Sequence, residues 1–417
     1  MPSSFDSHTE RAVEMAARES YGRLLAYIVA RTGDVASAED ALGDAFLRAL
    51  ETWPKNGVPA RPDAWLLTAA KRRHIDGYRQ AKSAAQVIES LTIAAERDAL
   101  EPQDQFPMDM EYPDERLKLL FLCTHPAIDP AARTPLMLQT ALGIDAARIA
   151  SAFLTSPAAM GQRLTRAKTK IRQAVLRIDA PDESELPQRV GAVLEAIYAA
   201  YGLGWDRSVY GSDRRWRGLS DEAIWLARLT VSLLPSEPEA KGLLALMLYC
   251  ESRTTTRRSG DGAYVPLSEQ NAALWSKSLI DEAETLLTAA SCARRLGRCQ
   301  LEAAIQSAHS RRAYGQPIDW RSIAQLYDGL VTFAPTAGAL IGRAAAVAEA
   351  ISPAEGLRLL EELDAAAMTT YQPYWALKAH LLLQLGKHPE AAHAYQQAIG
   401  LSEDPAVKAF LMGRAKE

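Results

Sequence analysis

Residues 145–177, DAARIASAFLTSPAAMGQRLTRAKTKIRQAVLR, read as two helices joined by a tight turn. In the first, Ile149, Ala150 and Phe153 share one face at helical spacing. Leu154, Thr155 and Ser156 form the turn. Ser156 offers a hydroxyl cap, and Pro157 brings a backbone angle already suited to the first helical position. In the second helix Met160, Leu164, Ala167, Ile171 and Val175 make an apolar stripe, while Gln162, Arg163, Arg166 and Lys170 lie off it. Between 163 and 177 there are six basic residues (Arg163, Arg166, Lys168, Lys170, Arg172, Arg177) and no acidic one. A face of one sign suits phosphates, and Arg and Gln side chains read base edges in a major groove. A solvated basic face on a bundle helix would carry the same charges. The turn chemistry favours a DNA-binding helix-turn-helix.

Outward from this segment the chain is helical throughout. Alanine, leucine, arginine and glutamate recur at helical spacing, and no stretch alternates long enough for a strand, so the expected fold class is all-α. The 417 residues are too many for one ordinary domain. With 48% hydrophobic and 24% charged residues the chain can bury real cores. The net charge of −4 argues, as an average, against a nucleic-acid binder, but the charge is unevenly distributed. Three composition shifts divide the chain into helices over 1–80, an acidic linker over 81–113, helices ending in the basic stretch over 114–179, and a longer helical array over 180–417. The linker sets Lys82 and Arg97 against Glu89, Glu96, Asp98, Glu101, Asp104, Asp109 and Glu111. Cys123, Cys250, Cys292 and Cys299 include no C-x-x-C pair, which predicts reduced, largely buried thiols and neither a zinc site nor a disulfide framework. No apolar run approaches the ~20 residues that cross a bilayer, and the polar N-terminus is unlike a secretory signal. A cytoplasmic protein without membrane contact is expected.

The first helical region holds two suggestive segments. In SAEDALGDAFLRALETW, Glu39, Asp40 and Asp44 lie together on a helix whose other side carries Leu42, Phe46, Leu47 and Leu50. That is either a solvated acidic face or a docking surface for a basic partner. The turn PKNGVPARPD (54–63) stops this helix, and AWLLTAAKRRHIDGYRQ follows with Trp65, Lys71, Arg72, Arg73, His74, Tyr78 and Arg79. Rings interleaved with cations suit unstacked single-stranded DNA, although Trp65 fits a core equally well.

The array after residue 180 has weak internal repetition. YWALKAHLLLQLGKHPEAAHAYQQAIGLSEDP sets Ala379, Gly386, Ala391, Tyr395 and Ala398 at the spacing of a tetratricopeptide (TPR) repeat, with Pro405 near its close. Ile323, Tyr327, Leu330 and Pro335 keep one frame of such a unit, and Ala223, Ala227, Thr230 and Pro235 another. An irregular helical bundle is the alternative. His388 and His393 are five apart, the wrong spacing for a metal pair on one helical face. RRSGDGAYVP (257–266) reads as an exposed turn and SVYGSDRRWRGLS (208–220) as a basic, aromatic loop. No catalytic constellation and no cofactor site emerges.

Taken in order, these segments resemble the extracytoplasmic-function (ECF) sigma factors, in particular the group with a fused C-terminal TPR-like domain. LLAYIVARTGDVASAEDALGDAFLRALETWP is similar to the polymerase-docking helices of that family, PARPDAWLLTAAKRRHIDGYRQ to its −10 segment, and residues 114–172 to its −35 reader. EAIWLARLTVSLLPSEPEAKGLLALMLYCESR, IDWRSIAQLYDGL and the final repeat unit carry the C-terminal likeness. The resemblance implies a sigma-2-like domain at 1–80, a sigma-4-like domain at 114–179 and a regulatory array at 180–417. It implies that Asp40, Asp44, Phe46, Leu47 and Trp53 meet the β′ clamp helices of core RNA polymerase, whose β flap is a second contact. Asn56, Arg61, Trp65, Lys71, Arg72, Arg73 and Arg79 would serve the −10 element. Ser156, Ala159, Gln162, Arg163, Arg166 and Lys170 would serve the −35 element. The expected partners are core RNA polymerase, promoter DNA, an intramolecular contact from the C-terminal domain and a separate protein regulator. The chain departs from the family at Arg72, where Asn is common. It departs again at Pro157-Ala158-Ala159-Met160-Gly161, where Glu-Ala-Thr-Met-Ala is common, and at Arg148, where an acid is usual. Those departures sustain a rival expectation, a TPR-type adaptor with a non-transcribing sigma half. An enzyme hidden in 180–417 is a weaker rival.

Overall fold

The computed structural model describes residues 13, 20–72, 115–153, 155–174, 185–207, 214–363 and 368–416. The expected linker 81–113, with Arg73 and Arg79, lies outside the described residues. The fold is all-α. Among the described residues the one β feature is an isolated bridge between Arg258 and Tyr264. The chain divides into two compact units, Met1–Ala200 and Tyr201–Glu417.

In the first unit, helix α1 (20–32) buries Leu24 through Val29 and ends at Gly33, whose φ of 67° suits a residue without a side chain. Asp34 then caps α2 (Val35–Asn56), accepting from the amides of Ala36 and Ser37 at 3.0 and 3.3 Å. Val35, Ala38, Leu42, Ala45, Ala49 and Trp53 recur at helical spacing and are all buried. Helix α3 (62–72) packs Leu66, Leu67 and Ala70 inward. After it come α4 (Arg116–Cys123), α5 (Pro130–Leu142), α6 (Ala146–Ala152) and α7 (Pro157–Gln173). Helix α8 (Leu186–Arg207) begins in this unit, and Arg189 there donates to the carbonyl oxygen of Phe121 at 2.5 Å.

Within this unit α1 approaches α5 closely. At Gly22 of α1 an added Cβ would come 2.1 Å from the backbone oxygen of Ala141, so only glycine permits α1 to approach the end of α5 so closely. Tyr21, next to it, lies against Gly143 and stacks on Phe46 of α2 at 6.3 Å.

In the second unit most helices pack on their chain neighbours, and α12 packs chiefly on α10, two helices back. Its members are α9 (Arg214–Leu233), α10 (Pro238–Glu251), α11 (Lys277–Ser291), α12 (Arg298–Ser310), α13 (Trp320–Phe333), α14 (Ala337–Ala350), α15 (Pro353–Glu361), α16 (Gln372–Gln384), α17 (His388–Leu401) and α18 (Pro405–Arg414). The repeat-like unit is a helix pair: α16, a turn at Gly386, then α17, with Ala379, Ala391, Tyr395 and Ala398 buried in one cluster and Pro405 opening α18. Ile323 and Leu330 are core residues of α13, as are Ala223, Ala227 and Thr230 of α9.

Two stretches differ from the sequence reading. Residues 214–220 belong to helix α9 instead of a loop, because Leu219 and Ser220 start the buried stripe continued by Ala223, Leu226 and Ala227. The turn at 257–266 is exposed at its tip and tied at its base. Arg257 lies 4.0 Å over the Trp205 ring, Arg258 pairs with Asp404, and Tyr264 meets Phe410 edge-on at 5.4 Å. This loop therefore joins the beginning of the array to its last helix. Of the cysteines, Cys123 is buried and Cys292 is exposed, against the expectation for the latter.

Candidate nucleic-acid and polymerase interface

Helix α7 follows α6 across the short turn at 153–156. Ser156 Oγ accepts from the amide of Ala159 at 3.2 Å and satisfies a donor of the first turn. Met160, Leu164, Ala167 and Ile171 are buried. The opposite face carries Ala159, Gln162, Arg166 and Lys170, all exposed, with Arg163 half-buried at its side. Arg166 Nε donates to the Gln162 carbonyl at 3.4 Å, which lays the guanidinium along this face. Gly161 has open space around it, so packing gives no reason for glycine, which costs the helix about 1 kcal/mol relative to alanine. The helix thus brings Gln162, Arg166 and Lys170 together on one surface, with Ser156 at its N-terminal edge.

On α2 the outward side carries exposed Asp40 and half-buried Asp44 beside Leu47, which is 61% exposed, and Leu50. Carboxylates beside large exposed apolar side chains form a surface suited to a partner that is both basic and apolar. Phe46 turns away to stack on Tyr21. Trp53 is not on this face. It is 2% exposed and meets Trp65 edge-on at 5.5 Å, so it supports α2 from within. The ring of Trp65, half-buried, links the end of α2 to α3.

The turn after α2 leaves Asn56 exposed, and Arg61 sits 3.7 Å from Asp63. On α3, Arg72 is exposed while Lys71 folds back. Lys71 Nζ lies 3.5 Å from the Tyr27 hydroxyl and 4.9 Å from its ring centre, and Arg31 covers the same ring at 3.4 Å. Burial, then the neighbouring Arg31 charge, push the Lys71 ammonium down to about 8. Two cations gathered on one tyrosine make a positive spot that the sequence did not reveal, since Tyr27 and Lys71 are 44 residues apart.

The pairing of Lys168 with Glu39 was also missed. Both were visible as members of charged faces, but they lie 129 residues apart, and no local pattern announces such a contact. Their side chains are 12% and 15% exposed. Desolvation raises the Glu39 carboxyl, and Lys168 opposes that rise.

Residues 17–84, which include α1 to α3, match the sigma-70 region 2 family, and residues 189–291 match a family of unknown function (DUF6596). The ECF RNA polymerase sigma factor SigG of Mycobacterium tuberculosis (strain ATCC 25618 / H37Rv) is 27% identical over 246 residues, 53% of this chain and 60% of that protein. Among solved structures, yeast Tom70 aligns over 98% of this chain and 85% of its own at 14% identity, with a TM-score of 0.32. The uncharacterized protein R00370 of Rhizobium meliloti (strain 1021) is 35% identical over 401 residues, 96% of this chain and 93% of that one. With a sigma-70 region 2 domain at its N-terminus, the chain belongs to the same family as R00370.

Proposed function

We propose that this protein is a sigma factor that binds core RNA polymerase and directs it to promoters, without catalytic activity of its own. The observation that carries the reading is the outward face of α7. It is an acid-free surface of Gln162, Arg166 and Lys170 on the second of two consecutive helices, in a chain whose first helices match sigma-70 region 2. In this reading Asp40, Asp44 and Leu47 dock on a basic and apolar surface of the polymerase. Asn56, Arg61, Lys71, Arg72 and the region after it meet the −10 element, and α7 meets the −35 element. The helical array at 180–417 acts as an attached regulator, and the protein works in the cytoplasm. Among the described residues no helix is long and apolar enough to cross a membrane.

A second reading has one observation in its favour. The first turn of α7 exposes Pro157, Ala158 and Ala159, which offer no side-chain hydrogen bonds to bases. An adaptor protein with a non-transcribing sigma half would be indifferent to that. The test is run-off transcription with core polymerase and the full chain, beside a core-binding assay. Promoter-dependent transcripts that vanish with Asp40→Arg plus Asp44→Arg are expected. A protein that neither binds core polymerase nor supports any transcript refutes the sigma reading and leaves the adaptor.

A further inference from the structure

We infer that a pocket in the helical array, between α11, α12 and the turn at Arg311–Tyr314, binds a free basic amino acid, a small molecule with two cationic groups and one carboxylate. The site lies wholly within the second unit, and its occupancy does not depend on the sigma reading.

The pocket holds about 360 Å³, within the range of small-molecule sites. Asp281 and Glu284, three residues apart on α11, bring two carboxylates to its wall, and Arg311 brings a guanidinium. The Tyr314 hydroxyl donates to Asp281, and Ser307 of α12 donates to Glu284 Oε1 at 2.5 Å. Each carboxylate is thus held by a neutral hydroxyl. Glu282, between them in sequence, pairs with Arg228, whereas Asp281 and Glu284 make no ion pair among the described residues. Arg311 makes none among them either. Lys277 lies over the Tyr314 ring, 5.5 Å from its centre, and pairs with neither carboxylate.

A buried group points to the same place. Tyr249 of α10 is 0% exposed, and its hydroxyl has no hydrogen-bond partner among the described residues. Burial raises its pKa; Ser307 opposes that rise and the Glu284 charge adds to it, which places the hydroxyl beside both pocket residues. An unsatisfied buried hydroxyl costs about 1–3 kcal/mol, which a donor on a ligand recovers.

An ammonium group has three N–H donors and no acceptor. Asp281, Glu284 and the Tyr249 hydroxyl offer it acceptors, and the Tyr314 ring, 46% exposed, offers a cation its π face. Arg311 is the natural partner of a carboxylate. Two carboxylates and one guanidinium on the wall mirror the two cations and one carboxylate of free lysine or arginine. A metal ion fits less well. Among the described residues no three metal-ligating side chains converge, and the cavity is far larger than a bare ion.

The test is isothermal titration calorimetry of the full chain with L-lysine and L-arginine, beside L-norleucine, cadaverine and calcium chloride. One molecule of either basic amino acid should bind per chain, saturating at millimolar concentration or below. Norleucine, which lacks the side-chain cation, and cadaverine, which lacks the carboxylate, should bind about tenfold more weakly. Glu284→Gln and Asp281→Asn should each weaken binding about tenfold, since both remove a charge and keep the volume. Arg311→Ala should erase the preference for lysine over cadaverine. Tyr249→Phe should weaken binding several-fold with the helical circular dichroism unchanged. Asp281 is exposed, so Asp281→Asn remains informative should Glu284→Gln impair folding. No saturable heat with either amino acid, binding of calcium in their place, or an affinity unmoved by Asp281→Asn and Glu284→Gln overturns the site. Cadaverine binding as tightly as lysine, with Arg311→Ala without effect, overturns the amino-acid assignment.

Discussion

Replacing Arg166, Lys170 and Leu164 by alanine, one at a time, separates DNA reading from packing on α7. Arg166 and Lys170 are exposed and off the apolar stripe, so each substitution should change stability by no more than about 0.5 kcal/mol. Leu164 is 2% exposed, and its truncation should cost about 2–5 kcal/mol. The DNA effects should divide differently. In the proposed complex Lys170, in the C-terminal half of the helix, meets a phosphate. Losing one phosphate contact lowers the slope of log K against log salt by about 0.9, which over 50 to 200 mM salt shrinks the change in affinity by roughly 3.5-fold. This loss should be the same for every sequence. In the same proposed complex Arg166, one turn back beside Gln162, meets a base edge. Its removal should cost about 1–3 kcal/mol at a cognate −35 element, roughly 5- to 150-fold, and alter which base is preferred. Fluorescence anisotropy of the full-length variants over a library of −35 duplexes, at several salt concentrations, gives both quantities, and thermal unfolding gives the stabilities. If Arg166→Ala and Lys170→Ala share one slope and one pattern of preference, α7 is only an electrostatic handle and the assignment of base reading fails.

Two further expectations concern a buried histidine and two helical glycines. His309 is buried, with Nδ1 unpartnered among the described residues and its ring 5.4 Å from that of Trp320. Burial, then Arg253 and Arg312, push its pKa down to about 4. Between the unfolded value near 6.5 and this value the unfolded chain binds a proton that the folded chain refuses, so stability falls as pH drops through that window, by up to about 3 kcal/mol. Urea unfolding at pH 7 and 4.5 should show that loss, and His309→Phe should remove most of it; an equal loss in the variant would exonerate His309. At Gly356 an added Cβ would come 2.5 Å from that of Ala348 and 2.8 Å from the Ala344 oxygen, whereas Gly161 has nothing within 4 Å. Gly161→Ala should therefore stabilise by up to about 1 kcal/mol. In Gly356→Ala the same gain is outweighed by overpacking of about 1–3 kcal/mol, for a net loss near 1 kcal/mol. A stabilised Gly356→Ala would show that α14 and α15 do not cross so closely.

The sequence by itself determined what depends on neighbours within a turn or two of helix. The stripe of Met160, Leu164, Ala167 and Ile171, the Ser156 cap, the stop at the turn after α2 and the helix pair around Gly386 are each legible because the residues responsible are three or four positions apart. The same reasoning placed Gln162, Arg166 and Lys170 on one face of α7. It failed at 214–220, where arginines and a glycine suggested a loop although the apolar period of α9 had already begun. Only the tertiary structure decided which charged and aromatic residues face solvent. Trp53 and Leu47 lie on one helix within six residues, yet one is buried against Trp65 and the other stands exposed, because α3 and α1 cover only part of α2. Glu39 looked like its neighbour Asp40 until Lys168 arrived from 129 residues away to claim it. Periodicity tells which side of a helix is apolar, while the identity of the element that covers each side is set by contacts between segments far apart in the chain, on which no local pattern bears.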